Sequence, residues 1–126
     1  MMDEDGAKPI ASYRDLRVYK LSYQLALDIH RLTRKFPASE RTELASQLRR
    51  AVTSIPINIA EGYGRKRSAE EFKRFLVIAQ GSANEVSVIL SLAHDLEYLG
   101  KEDYSGLQAR CEMIGKSINK LIQVWR

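Results

Sequence analysis

Apolar residues recur at three- and four-residue steps along four stretches of this chain, and proline, glycine or polar turns separate the stretches. That spacing places apolar side chains on one face of a helix, whereas a half-buried strand would alternate them at every second position. No stretch shows strand-like alternation bounded by turns. The sequence therefore predicts an all-α fold: an antiparallel up-down-up-down four-helix bundle over residues 13–126, with helices at about 16–36, 42–61, 69–99 and 104–126.

The first predicted helix carries apolar residues in two rows. The rows are Leu16, Tyr19, Tyr23, Ala26 and His30, and Val18, Leu21, Leu25, Ile29 and Leu32. One row is enough to dock a helix on a bundle, so the wide apolar face indicates that part of it is buried against another subunit. The alternative is a short bundle that buries both rows internally.

Pro56 lies inside the second predicted helix. Because proline lacks an amide hydrogen and its ring crowds the carbonyl of Val52, we expect a kink there. A break that leaves two shorter helices is the alternative. The apolar spacing continues in phase through Ile55 and Ile59, which favours the kink.

Cap and turn signals place the helix ends. Gly100 ends the third predicted helix. The small residues of Gly81-Ser82-Ala83 allow a neighbouring helix to approach the middle of that helix closely. The predicted caps are Ser39 or Thr42 for the second helix, Ser68 with Glu71 as a capping box for the third, and Asp103 or Ser105 for the fourth.

The charge balance is basic, with a formal net charge of +4 over 126 residues and a pI near 9.3. Residues 1–12 begin with acidic residues and are predicted to form a disordered tail, which leaves about +6 on the folded part. A basic surface favours an anionic partner such as RNA or DNA. A basic domain with no nucleic-acid role is the alternative.

Cys111 is the only cysteine in the sequence, so an intrachain disulfide is excluded and a thiolate metal site has no support. The N-terminus lacks the apolar segment of a secretory signal, and no apolar run reaches the roughly 18 residues that span a membrane. We therefore expect a cytoplasmic protein.

Basic residues cluster where the second predicted helix ends and the third begins, and Tyr63 stands beside them, where it could stack on a base. Because consecutive antiparallel helices bring these ends together, the clusters predict a nucleic-acid or partner surface. A solvated charged face is the alternative. The predicted binding residues are Arg49, Arg50, Tyr63, Arg65, Lys66, Arg67, Lys73 and Arg74.

Three polar residues are predicted to face inward: Asn58, Glu61 and Glu85. A buried carboxylate must be paired or hydrogen-bonded, so we expect Glu61 to pair with an arginine or with backbone amides near the start of the third helix. A surface glutamate is the alternative. Buried polar residues in bundles more often set register than perform chemistry. These three are therefore interpreted as structural.

The sequence offers little for catalysis. A dimetal bundle site needs Glu-x-x-His on two helices, and neither His30 nor His94 is preceded by glutamate at that spacing. No serine or cysteine has a recognisable base nearby in sequence. We therefore expect a protein with no metal, no cofactor and no enzymatic activity, and a nuclease whose catalytic residues are distant in sequence is the alternative.

The stretches QLRRAVTSIPINIAEGYGR and EEFKRFLVIAQGSANEV, with their SI-x-x-NIAEG and GS-x-x-E elements, resemble the bacterial 23S rRNA intervening-sequence protein family. The resemblance runs from about Tyr13 to Arg126. It implies a ring-shaped homopentamer. A related branch, the accessory proteins of diversity-generating retroelements, implies a non-enzymatic scaffold that binds RNA or a nucleoprotein partner such as a reverse transcriptase. An oligomeric protein-interaction bundle without a nucleic-acid role is the alternative.

Overall fold

Four helices make up most of the chain in the computed structural model, which describes residues 9–40 and 43–126. Short 3-10 turns occur at Tyr13–Asp15, Thr33–Lys35 and Ala38–Glu40. Within the described ranges there is no β-strand, so the predicted all-helical class is confirmed. The helices are α1 (Arg17–Leu32), α2 (Leu44–Gly64), α3 (Ala69–Asp95) and α4 (Lys101–Val124).

One hydrophobic core lies between the four helices and takes side chains from each of them. Burying a large aliphatic or aromatic side chain stabilises the fold by about 1.5–3 kcal/mol relative to leaving it exposed. At one end of the core, Phe72 meets Trp125 edge-on with 4.6 Å between ring centroids. This contact fixes the beginning of α3 beside the end of α4.

Helix α2 contacts both of its neighbours through short polar side chains. Thr53 Oγ1 lies 3.0 Å from His30 Nε2 of α1, and Ser54 Oγ lies 2.8 Å from Ser82 Oγ of α3. Ser82 belongs to the small-residue stretch in which a close helix approach was predicted, and the hydroxyl pair shows that approach. Because Pro56 has no N–H, the Val52 carbonyl lacks its usual hydrogen-bond donor within the helix. The Thr53 and Ser54 hydroxyls bond to neighbouring helices and not to this carbonyl.

The end of α2 lies against the beginning of α3 at Gly62, which is buried. A Cβ placed on Gly62 would lie 2.7 Å from Phe75 Cβ and 3.0 Å from Phe72 Cδ1. Only a residue without a side chain fits there without a shift of the neighbouring helix. The two helices therefore converge just before the chain reverses.

Pro56 is fully inside α2, which runs unbroken from Leu44 to Gly64. The alternative of two shorter helices is therefore wrong. Buried residues on both sides of the proline, including Val52 and Ile59, keep the two halves on the same core. Their burial offsets the lost backbone hydrogen bond.

The start of α2 differs from the prediction. Its N-cap residue is Glu43, which makes no side-chain cap hydrogen bond. Ser39 lies in the preceding 3-10 turn, and Thr42 lies outside the described residues. At the start of α3, by contrast, Ser68 Oγ accepts the Glu71 N–H at 3.1 Å, as predicted.

Helix α3 ends at Asp95 rather than near Leu99. The Tyr98 N–H donates to the Ala93 carbonyl, and the Glu97 N–H donates to the next carbonyl along, both at 2.9 Å. This pair of bonds is the Schellman motif, which needs a left-handed residue directly after the C-cap of the helix. Glu97 supplies it with a φ of 68°, although the usual residue at this position is glycine.

Two further boundaries also move. Gly100 is the N-cap of α4, so that helix begins at Lys101 rather than at Asp103 or Ser105. Helix α1 ends at Leu32, and a 3-10 turn replaces its predicted last turn.

The predicted disordered tail is wrong where the structure describes it. Ile10 is buried against the core. The N–H groups of Ala11 and Ser12 donate to Asp15 Oδ2 at 2.8 and 3.0 Å, which closes a capping box around the first 3-10 turn. Residues 1–8 of that predicted tail lie outside the described residues.

Helix α3 is long and apolar enough to cross a membrane by length and composition, with a mean hydropathy of 1.5 over 18 residues. The prediction that no segment reaches this threshold therefore needs correcting for α3. Of that window, 39% is buried inside the bundle. The core helix of a bundle meets the same criterion, so the hydropathy is weak support for a membrane segment.

Candidate nucleic-acid interface

The chain reversal between α2 and α3 brings five basic residues together. Backbone bonds tighten this reversal: the Arg65 N–H donates to the Gly62 carbonyl at 2.9 Å, and the Ser68 N–H donates to the Arg65 carbonyl at 3.1 Å. The turn is short because Gly62 lets the two helices converge. We call the five residues the basic rim: Arg65, Lys66, Arg67, Lys73 and Arg74.

Two arginines of the basic rim lie over the ring of Phe75. The guanidinium carbons of Arg65 and Arg74 are 5.0 Å and 4.6 Å from its centroid. A cation over an aromatic face is stabilised by about 0.5–1 kcal/mol at an exposed site. Both arginine side chains remain more than half exposed, at 53% and 55%. The shared ring therefore holds two exposed positive charges close together.

Each of these arginines also has an acidic neighbour. Arg65 lies 3.8 Å from Glu61, and Arg74 donates to both oxygens of Glu71 at 3.0 and 3.3 Å. The hydrogen bond from Arg74 lowers the pKa of the Glu71 carboxyl and raises the pKa of the guanidinium. Glu71 thus bonds Arg74 rather than reaching back to complete the predicted capping box.

Tyr63 does not lie open for stacking on a base, contrary to the prediction. It is 6% exposed and meets Phe72 and Trp125 edge-on at 6.0 and 6.4 Å. Lys66 Nζ covers it, 2.8 Å from the hydroxyl oxygen and 4.1 Å from the ring centroid. Tyr63 therefore supports the basic rim from beneath and anchors one of its charges.

Arg49 and Arg50 lie apart from the basic rim. They precede Arg65 by about four turns of α2, which corresponds to about 24 Å along the helix. Arg49 Nε donates to Thr33 Oγ1 at 2.8 Å, so its side chain joins α2 to the end of α1. Arg50 is exposed. The predicted binding residues thus divide into one compact group and two outliers.

Arg126 is absent from the predicted binding residues, and it follows the Trp125 ring that packs beneath the basic rim. Its side chain is exposed. The predicted topology places the end of the fourth helix at this end of the bundle, so the signal was available in the sequence.

The three residues predicted to be inward polar groups differ among themselves. Asn58 is partly buried, and its Nδ2 donates to the Ser54 carbonyl and hydroxyl at 2.8 and 2.9 Å. Glu61 and Glu85 are exposed, so the inward orientation predicted for them is wrong. Glu61 does pair with an arginine, but with Arg65, at the surface.

Comparison with known proteins identifies the family. The family model described as 23S rRNA-intervening sequence protein matches residues 14–120. The chain belongs to this family. A crystal structure from Bacteroides thetaiotaomicron, of a protein of unknown function from the S23 ribosomal protein family, is 28% identical with a TM-score of 0.75. That alignment covers 85% of this chain and 99% of the other. Curated proteins gave no match.

In this member of the family, the SI-x-x-NIAEG element forms the contact between α2 and α3. Ser54 bonds to Ser82, Asn58 bonds back to Ser54, and Gly62 meets Phe72 and Phe75. These contacts give the element a packing role. It positions the basic rim that follows it.

Two side chains of types that often take part in catalysis, His94 and Cys111, are engaged in packing contacts. His94 stacks on Tyr104 with 4.3 Å between centroids, and its Nδ1 lies 3.1 Å from the Leu99 carbonyl oxygen. Burial raises the pKa of the Cys111 thiol to about 11, so the nucleophilic thiolate is scarce near neutral pH. Among residues 9–40 and 43–126, no three His, Cys, Asp or Glu residues are grouped to hold a metal ion.

A second surface, the α1–α2 groove, lies between the first two helices and has a volume of about 500 Å³. Four members of one apolar row of α1 line it opposite Ile57 of α2: Tyr19, Tyr23, Ala26 and His30. The groove continues past Ile57 as a shallower hollow that reaches Arg65 of the basic rim. Within that row of the first helix, Leu16 is buried in the core, Tyr19 and Ala26 pack against the core, and Tyr23 is about half exposed.

Proposed function

We propose that this chain is a non-enzymatic, homo-oligomeric scaffold of the cytoplasm whose basic rim binds the phosphate backbone of RNA. The bundle is up-down-up-down, and copies assemble into a ring-like pentamer, as the family resemblance implies. A nucleoprotein such as a reverse transcriptase with its RNA, as in retroelement accessory proteins, would present the same backbone.

One observation carries this proposal: Phe75 holds Arg65 and Arg74 side by side while both remain more than half exposed. Lys66 and Arg67 are exposed beside them on the chain reversal. Phosphate contacts supply most of the affinity of non-specific nucleic-acid binding, and arginines prearranged on a ring lose less freedom when they bind. A compact basic group therefore suits a polyanion better than scattered charges do.

A protein-interaction bundle with no nucleic-acid role is the second candidate. Large apolar side chains on α3 favour it, because Val77, Val88 and Leu92 are each about half exposed. Such side chains suit a protein contact and contribute nothing to phosphate binding.

The deciding experiment measures binding of a labelled RNA hairpin across a series of salt concentrations. The double variant Lys66→Glu/Arg67→Glu should bind more weakly, and the slope of log affinity against log salt should become shallower by about 1 for each phosphate that the variant no longer neutralises. The matched control, Lys101→Glu/Lys116→Glu, makes the same charge change on α4 and should keep the wild-type slope. Wild-type affinity that ignores salt, or equal losses of affinity in the two variants, would favour the protein-interaction bundle.

A further inference from the structure

The α1–α2 groove presents a largely apolar surface. Thr53 and His30, two polar residues of its lining, lie within 3.0 Å of each other. Ile57 is 54% exposed and Tyr23 is 49% exposed. The lining residues are Tyr13, Tyr19, Tyr23, Ala26, Leu27, His30, Thr53, Pro56, Ile57 and Ala60. The groove therefore leaves apolar area in water that a complementary apolar face would cover.

Such a face runs along the outside of α3. Val77, Val88 and Leu92 are 55%, 61% and 47% exposed, and their separations of eleven and four residues place them on one side of the helix. Gly81 lies on the same side, where a Cβ would meet nothing within 4 Å. We call this surface the α3 face. It combines projecting aliphatic side chains with a glycine between them, so it offers both a ridge and a gap.

The charges beside the two surfaces are opposite. From residue 75 to residue 100 the chain has no lysine or arginine, and Glu85 and Asp95 flank the α3 face. Beside the groove, Lys20 and Arg31 lie eleven residues apart on α1, on one strip with Leu27. The acidic residue of that helix, Asp28, pairs with Arg110 at 2.9 Å and with Arg31 at 3.6 Å. Lys20 is therefore the residue of this strip that has no carboxylate of the described residues within 4 Å. A basic margin along the groove would thus meet an acidic margin along the α3 face.

We propose that the α3 face of one copy occupies the α1–α2 groove of the next copy. The contact uses two different surfaces of the same chain, so it is head-to-tail, and repetition closes a ring if the rotation between copies permits it. This inference rests on the homo-oligomer of the proposed function and identifies the surfaces that build it. Aliphatic side chains fill the groove, and the opposite charged margins set the register of the copies.

Two variants that each damage one surface test this contact. Ile57→Asp places a charge in the groove, and Val88→Asp places one on the α3 face. Both positions are exposed, so both variants should fold as judged by circular dichroism. Each alone should be monomeric by light scattering at a concentration where the wild type is assembled. Met113→Asp, at an exposed apolar position of α4, is the matched control and should keep the wild-type mass.

Mixing the two damaged variants gives the sharper result. The Ile57→Asp chain keeps an intact α3 face and the Val88→Asp chain keeps an intact groove, so the mixture should form a one-to-one dimer and nothing larger. A groove that pairs with another groove would instead leave Val88→Asp assembled, and an α3 face that pairs with itself would leave Ile57→Asp assembled. Either result, or wild-type mass in both variants, overturns the proposal.

Charge reversal provides a variant that touches no apolar side chain. Glu85→Lys should weaken assembly because it places a cation opposite the basic margin of the groove, and unchanged assembly would count against this register. RNA binding is scored separately through the Lys66→Glu/Arg67→Glu pair. If the wild type is monomeric yet binds RNA with a steep salt dependence, the proposed contact between copies is wrong and the proposed RNA binding by the basic rim is supported. In that case the groove serves a different partner.

Discussion

The Cys111 thiol is buried between α3 and α4, where Sγ donates to the Ala83 carbonyl at 3.0 Å. Burial is the main reason that its pKa is raised from 9.0 to about 11. The folded state therefore favours the protonated thiol more than the unfolded state does. The resulting stabilisation is complete below pH 9 and disappears as the pH rises through 11.

This linkage predicts a pH-dependent difference between the wild type and Cys111→Val. A rise in pKa from 9.0 to about 11 corresponds to about 3 kcal/mol in full. The wild type should lose about 2 kcal/mol of this relative to the variant between pH 8 and pH 11, and the rest above pH 11. Urea unfolding of both proteins across this range measures the difference, and groups that titrate in both chains cancel. A difference that stays constant with pH would show that the thiol does not titrate in this way.

Residue orientation was the least predictable feature. Periodicity assigns a helical face, but adjacent positions are 100° apart and the border of the face is not marked in the sequence. Glu61 directly precedes the buried Gly62 and yet is exposed, whereas Tyr63 is buried although basic residues follow it. Their orientations depend on how closely α3 approaches, which no local pattern encodes.

At the scale of the element, the end of α2 depends on Gly62. Gly62→Ala should destabilise the protein by about 1–3 kcal/mol, because the added methyl group would overlap Phe75 Cβ and crowd Phe72. Gly106→Ala in α4 is the matched control, since a Cβ there meets nothing within 4 Å. It should stabilise the protein by up to about 1 kcal/mol through helix propensity. Thermal unfolding of the two variants measures both effects, and equal shifts would contradict the close packing at Gly62.

Helix existence was predictable and helix ends were less so. Ser68 caps α3 as its sequence predicts, because a hydroxyl before a helix has a local partner in the Glu71 N–H. The end of α3 was misplaced because Gly100 gives a strong stop signal. The actual end uses Glu97 in a left-handed conformation. Packing after the helix holds that conformation, so tertiary structure overrides the local signal.

At the scale of the whole molecule, assembly should couple to stability. A partner copy that binds only the folded chain adds about 2.7 kcal/mol when its concentration is 100 times the dissociation constant. The melting temperature of the wild type should therefore rise by several degrees when its concentration is raised over this range. The Val88→Asp variant should melt at the same temperature throughout. A wild type whose melting temperature does not change with concentration would contradict the proposed assembly.

The four-helix fold was predictable because the periodicity and the turn residues agree along the chain. The basic rim was predictable as a cluster, since neighbouring helix ends meet wherever a short turn joins them. The sequence did not predict that Arg49 lies apart from the basic rim. It also did not predict that Phe75 and Tyr63 pack beneath the rim, because both features depend on the three-dimensional structure. The two apolar rows of α1 already predicted a subunit contact on that helix, whereas the α3 face was recognisable only once the core had been assigned.

The hollow that continues the α1–α2 groove ends at Arg65, which also belongs to the basic rim. If a second copy fills the groove, the boundary between two subunits opens beside the rim of one of them. A polyanion bound there would bind assembled and dissociated copies with different affinities. Thermodynamic reciprocity then requires that it change the affinity between subunits by the same factor. A single arginine at the end of a groove would thus make ligand occupancy and ring closure interdependent.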